Sequence, residues 1–198
     1  MLQKLQWDKF KFQPVIDLPA GYEVYDFSKG YDANRMRTSL YGIGKYNEKR
    51  VGVYTADLFE KVRDIHIGID IAAPVGTPIR CFAAGSILCF GYNGAKGDYG
   101  YTLVTEHSLD GTPLYTLWGH LSETSIVGKA VGQKINAGEI IAWVGDKHEN
   151  GGWNPHLHFQ LSWVKPEKPD MPGAVSEKDR EKALATYPDP RLVLGPLY

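Results

Sequence analysis

Residues 65–71 read Ile65-His66-Ile67-Gly68-Ile69-Asp70-Ile71, a regular alternation of isoleucine with something else. Side chains of an extended chain point to opposite faces in turn, so a strand here places its isoleucines together on one face. His66, Gly68 and Asp70 then share the other face. The first face demands a core. The second presents an imidazole and a carboxylate separated by a residue without a side chain, which leaves room for an ion. The stretch Pro155-His156-Leu157-His158-Phe159-Gln160-Leu161 repeats the design. Leu157, Phe159 and Leu161 point one way; His156, His158 and Gln160 point the other. Pro155 suits the first position of a strand, where its missing N–H is not needed.

Between and around these segments the chain keeps the same texture. Short alternating or β-branched runs at Thr77–Ala83, Ser86–Gly91, Thr102–Glu106, Pro113–Leu121 and Glu139–Val144 are separated by Gly, Pro, Asn or Asp. Such spacing predicts an all-β fold, mainly antiparallel sheets in a sandwich or barrel-like core with a groove. One or two short peripheral helices complete it. Cys81 and Cys89 lie symmetrically about Gly85 and predict a hairpin, with both cysteines reduced and acting as small apolar residues. A cross-strand disulfide is the alternative, and its geometry is demanding. Residues 1–60 read as a loop-rich N-terminal cover, with a short strand near Gly21–Phe27 and a short helix from Thr55. Residues 61–165 form the core. Residues 166–198 form an exposed excursion and a tail that packs on the core, with a helix starting near Ser176 and Asp179 at its third position.

The bulk properties fit one domain with extra segments: 198 residues, 43% hydrophobic and 23% charged. Lys plus Arg total 22 against 23 Asp plus Glu, a balance that gives no footing for nucleic acid or an anionic membrane. No stretch approaches the roughly 20 apolar residues of a membrane span. The first fifteen residues lack the apolar run of a signal peptide. A cytoplasmic chain is therefore the default expectation, or an exported one if this is a trimmed mature form.

Six histidines occur, at 66, 107, 120, 148, 156 and 158. A lone histidine on a strand is ordinarily a structural residue. Three of these six, however, lie on polar faces of otherwise apolar strands, and His120 ends another apolar run. Imidazole and carboxylate are good ligands for Zn²⁺, at about 2.0–2.2 Å. Two matched strands predict a metal site, with the ligand set open among His66, Asp70, His156, His158 and His120. His107 reads as a structural residue in a turn after a strand, and His148 as solvated.

The pattern goes further than the ligands. H-x-x-x-D at 66–70 and H-x-H at 156–158 enclose DYGYTLVTEH (98–107), LYTLWGHLSET (114–124) and VGKAVGQKINAGEIIAWVGD (127–146). In this order, over residues 64–161, the chain resembles the lysostaphin-type zinc metallopeptidases, which cut peptide bonds in bacterial cell walls. The resemblance implies metal ligands at His66, Asp70 and His158, with one Zn²⁺ per chain, and non-ligand active-site histidines at His120 and His156. Three protein ligands leave a fourth position for water, the mark of a catalytic zinc. No H-E-x-x-H glutamate is present, so His120 and His156 together take the roles of base and oxyanion stabiliser. Trp118, Trp153 and Tyr99 are candidate groove residues for a peptide or peptidoglycan substrate, with Tyr101 and Trp143 as further aromatic candidates; for all but Trp153, packing in the core or at its rim is the alternative reading. The chain departs from the family in the loop 146–155 and at Trp118, where a Tyr is common.

Two other readings compete. A regulatory or binding module of the same fold would bind without hydrolysis, although no member of the ligand and histidine set is missing. A biotinyl or lipoyl carrier shares the Gly cadence of 127–145, but no lysine sits at a suitable hairpin tip.

Overall fold

The isoleucine alternation does form strand, though not a single strand. The computed structural model describes residues 5–32 and 38–198. The strands run in chain order β1 (Glu23–Val24), β2 (Gly42–Gly44), β3 (Ile65–His66), β4 (Ile69–Ala72), β5 (Pro78–Arg80), β6 (Gly85–Asn93), β7 (Gly100–Leu109), β8 (Thr112–Leu121), β9 (Lys134–Ile135), β10 (Ile140–Trp143), β11 (His156–Ser162) and β12 (Ala174–Val175). Gly68 breaks the first motif between β3 and β4, with φ at +141°, a conformation that a residue with a Cβ rarely adopts. A Cβ there would also lie 2.6 Å from His158 Cε1. The break divides the isoleucines: Ile69 and Ile71 enter the main core, while Ile65 and Ile67 pack with Val175 and Ala183.

Eight strands form the main sheet in the order β1-β2-β4-β11-β8-β7-β6-β9, antiparallel except for β1 against β2. Two small antiparallel pairs, β10 with β5 and β12 with β3, complete the all-β architecture. The helices are short, α1 (Arg180–Thr186) and α2 (Arg191–Leu194). A single 3₁₀ turn, Glu177–Asp179 with Ser176 at its N-cap, leads into α1. The segment from Thr55 closes only one such turn, Asp57–Phe59. The expected hairpin about Gly85 does not form, because β5 and β6 join different sheets; Cys81 and Cys89 are free.

The core lies under one face of the main sheet. Leu157, Phe159 and Leu161 are fully buried there with Ile69, Ile71, Trp118 and Phe82. Each such side chain contributes about 1.5–3 kcal/mol by leaving water. The segment before Asp64 and the tail meet: Tyr22 Oη donates to the Leu197 carbonyl at 3.0 Å and Tyr46 Oη to the Tyr187 carbonyl at 2.7 Å. Residues 1–4 and 33–37 of the expected N-terminal cover lie outside the described residues. Among the described residues, no helix is long and apolar enough to cross a membrane.

Candidate metal centre and cleft

The face of β11 away from the core carries His156, His158 and Gln160, as the alternation requires. Its neighbour β4 sets Asp70 directly opposite His158, and Gly119 of β8 faces His158 from the other side. β3 brings His66 in from the small sheet. His66, Asp70 and His158 thereby each offer a ligand atom within 4.8 Å of the others.

Hydrogen bonds fix which nitrogens face inward. His66 Nδ1 lies 2.9 Å from the Lys45 carbonyl, which only accepts, so Nδ1 carries the proton and Nε2 is a lone pair. Gln160 Nε2 donates to the Pro172 carbonyl, which turns Oε1 towards His158 Nε2 at 2.9 Å. His158 therefore donates from Nε2 and presents Nδ1 as a lone pair. The two lone pairs stand 3.1 Å apart, and Asp70 Oδ1 lies 3.0 Å from His158 Nδ1 and 3.2 Å from His66 Nε2. Three acceptors converge with no proton between them, an arrangement that a cation resolves. The residues fit a metal ion.

Electrostatics favour the same state. Burial, reinforced by the Arg50 charge, lowers the His66 pKa to about 4. Burial opposes a charge on Asp70, but His66 and Arg50 outweigh it and hold the carboxyl well below its usual range. His66 is thus a neutral imidazole and Asp70 a carboxylate near neutral pH.

His120 and His156 stand beside this cluster with ring centroids 4.2 Å apart. Each donates from Nδ1 to a backbone carbonyl, His120 to Asn150 at 2.8 Å and His156 to Asn154 at 2.6 Å. Both Nε2 atoms are left as acceptors; that of His156 lies 3.7 Å from Asp70 Oδ1. Burial pushes the His120 pKa well down, helped by the charges of His156 and His158. Burial likewise lowers that of His156, against the pull of Asp70.

His120 reaches the cleft through a break in alternation. Strict alternation would place His120 on the same face as Trp118. At the register shift opposite Tyr101–Leu103, His120 takes φ +63° and turns to the opposite side, while Leu121 enters the core. A bulge that re-aims one side chain beside a site is a recurrent use of the motif. Trp118 consequently does not line the groove. It is fully buried, edge-on to Phe159 at 4.9 Å, and donates from Nε1 to Thr105 Oγ1 at 3.0 Å.

Of the other aromatic candidates, Tyr99 and Trp153 line the cleft, whose volume is about 630 Å³. Tyr99 packs over Gly119, where a Cβ would come within 2.6 Å of its ring, and its hydroxyl donates to the Met171 carbonyl at 3.0 Å. Tyr101 instead packs against Tyr92, with ring centroids 4.6 Å apart and planes tilted by 43°. Trp143 is absent from the cleft wall. His148 is exposed. His107 lies inside β7 rather than in a turn, buried, with Nδ1 donating to the Ala84 carbonyl at 3.1 Å and Nε2 accepting from Thr105 at 2.8 Å.

Sequence reading missed two residues here. Arg50, far from either motif, pairs with Asp70 Oδ2 at 2.6 Å. Asn150, fully buried, supplies the carbonyl that His120 uses and holds the loop 146–154 together through its side chain. Neither lies in a periodic pattern, so nothing in composition or spacing marks it.

Known proteins resemble this chain over about half of its length. DD-carboxypeptidase/endopeptidase Mpg of Neisseria meningitidis is 40% identical over 96 residues, covering 48% of this chain and 20% of that protein. Glycyl-glycine endopeptidase ALE-1 of Staphylococcus capitis is 35% identical over 96 residues, covering 48% of this chain and 24% of that protein. The chain thus spans about a fifth to a quarter of the length of these curated relatives. The solved catalytic domain of the antimicrobial peptidase lysostaphin from Staphylococcus simulans shares the fold, with a TM-score of 0.53 and 24% identity over 79% of this chain and 93% of that one. The sequence profile of peptidase family M23 matches residues 64–170, just over half of the chain. The chain belongs to peptidase family M23.

Proposed function

We propose that this protein is a zinc-dependent endopeptidase that hydrolyses peptide bonds in peptidoglycan stem or bridge peptides. The observation that carries the reading is the convergence of three unprotonated acceptors, His66 Nε2, Asp70 Oδ1 and His158 Nδ1, at the base of an open cleft. Their separations of 3.0–3.2 Å approach the edge of a tetrahedron with zinc-like bond lengths, about 3.3 Å. His66, Asp70 and His158 would hold the ion, which when bound supplies Lewis acidity to the scissile carbonyl and acidifies a water.

The chain's own residues do the rest. His120 and His156 present neutral Nε2 atoms on one side of the ligand cluster, where one imidazole accepts the proton of the attacking water and returns it to the leaving amine, while the other, protonated from solvent, donates to the developing oxyanion. The Asn150 and Asn154 carbonyls keep both rings in the required tautomer. Tyr99 and Trp153 line the cleft, with their rings 5.1 Å from that of His158 and 6.4 Å from that of His120 respectively. The names of Mpg, a DD-carboxypeptidase/endopeptidase, and ALE-1, a glycyl-glycine endopeptidase, support a peptide substrate, and 630 Å³ accommodates several residues of an extended peptide.

The test is digestion of purified cell-wall sacculi and of short Gly and D-Ala peptides, with metal analysis of the enzyme and mass spectrometry of the products. The reading expects about one zinc per chain and new peptide termini that disappear on chelation. A zinc-loaded protein that cleaves nothing across the panel would replace it with the binding-module reading.

A further inference from the structure

The metal-ligand cluster is backed by a short segment that precedes the family match. Residues 44–50 leave β2 and pass behind Asp70 and His66. Gly44 pairs with Asp70 across the β2–β4 ladder. The Lys45 carbonyl accepts from His66 Nδ1. Glu48, buried, accepts from the Phe27 N–H at 3.1 Å and from Arg50 Nε at 3.3 Å, and pairs with Lys45 at 3.4 Å. Arg50 is itself 4% exposed, and its Nη1 reaches Asp70 Oδ2 at 2.6 Å and Tyr54 Oη at 3.2 Å. The guanidinium therefore forms a rigid bridge between Glu48 and the far oxygen of Asp70.

We infer that Arg50 is a positioning residue for the metal centre: by occupying Asp70 Oδ2 it leaves Oδ1 alone to face the His66 and His158 nitrogens. It thereby sets the affinity and coordination number of the site. This rests on the metal reading proposed above. A carboxylate with both oxygens free can chelate in a bidentate mode or swing away; one held by a charge-assisted bond can do neither. The planar fork matters because the two bonds leave the guanidinium in different directions, towards Glu48 from Nε and towards Asp70 from Nη1. A lysine is a single point charge and cannot span both. The arginine also needs the space that Gly44 leaves, since a Cβ there would stand 2.6 Å from Arg50 Nη2 and 3.1 Å from Asp70 Oδ2. Partners that orient ligating groups commonly change metal affinity by about 10–100-fold when removed.

The experiment compares the full chain with Arg50→Lys and Gly44→Ala. The first retains the charge and removes the fork. The second leaves Arg50 in the sequence and crowds its Nη2 at 2.6 Å, with milder pressure on Asp70 Oδ2 at 3.1 Å, so Arg50→Lys carries the distinction. Zinc affinity is measured by competition with a chromophoric chelator, and melting temperature is measured with and without zinc. Both variants should bind zinc on the order of 10–100-fold more weakly. The zinc-induced rise in melting temperature should shrink accordingly. Cobalt(II)-loaded variants should absorb less intensely in the visible as the freed Oδ2 raises coordination above four. A purely structural Arg50 would lower the melting temperatures with and without metal equally and leave zinc affinity at the parent value, which overturns the inference. A parent protein that binds no zinc fells the metal reading itself and this inference with it. If one variant does not fold, the other gives the same affinity readout.

Discussion

His120 holds a left-handed backbone conformation, φ +63°, which costs a residue with a Cβ about 1–2 kcal/mol. Glycine carries no such cost. His120→Gly should therefore be about 1 kcal/mol more stable than His120→Ala in urea unfolding, although Gly usually destabilises strand. Both should keep zinc and lose turnover by on the order of 10²–10⁴. Equal stability of the two would refute the strained backbone, and near-parental turnover of either would refute the catalytic role. His107 makes a separate prediction, because it serves the core. Its neutral ring accepts from Thr105, whose oxygen accepts from Trp118, and burial lowers its pKa from 6.5 to about 4. The folded state thus binds this proton less readily than the unfolded chain. Stability from the neutral ring is complete above about pH 6.5 and is lost as pH falls towards 4, to the extent of about 3 kcal/mol. His107→Gln should be less stable at pH 7.5 and show a flatter fall over that window. Parallel pH curves for parent and variant would exclude His107 as the source.

Within single elements, the loop 146–154 illustrates how one buried side chain replaces a regular ladder. Asn150 Nδ2 donates to the Gly145 and Trp153 carbonyls, its Oδ1 accepts from the Gly152 and Trp153 N–H groups, and its own carbonyl holds His120. Asn150→Ala leaves several buried groups unpaired, at about 1–3 kcal/mol for each that water does not reach. Melting should drop clearly and kcat should fall with His120, while zinc content is unchanged; a variant with parental stability and kcat would contradict this. The element scale also shows how far periodicity carries a reading of the sequence. β11 was fully legible, since its alternation of His156, His158 and Gln160 with Leu157, Phe159 and Leu161 runs without interruption. The isoleucine segment was legible as strand and as a source of ligands, but its division at Gly68 was not, because alternation alone does not reveal a change of sheet. β8 left Trp118 open between groove and core: regular alternation sets Trp118 and His120 on one face, and only the bulge separates them. The cysteine hairpin failed for a related reason. Symmetry about Gly85 says nothing of the partners, and β5 and β6 found theirs in other sheets. Arg50 and Asn150 act through contacts formed by distant chain, which no local pattern encodes.

Across the whole molecule, the three acceptors join the main sheet to the small pair formed by β3 and β12. A metal that binds only the assembled site stabilises the fold by mass action, about 4 kcal/mol at a free concentration a thousand times Kd. For a chain of this size that corresponds to a rise in melting temperature of about 8–16 °C. Chelation should remove it, and calorimetric scans that superimpose with and without chelator would rule out a metal tied to folding. The sheet order carries one more consequence. β11 comes after most of the core in the chain yet lies between β4 and β8 in the sheet. A chain emerging from the ribosome therefore holds β4 and β8 as two open edges until residue 162 is free. Such edges are where partly folded chains stick to one another. Insertion of β11 closes both edges in the same event that brings His158 to Asp70. Closure of the main sheet and the meeting of His158 with Asp70 are thus one event, while β3, which carries His66, gains its partner β12 only once Ala174 and Val175 follow.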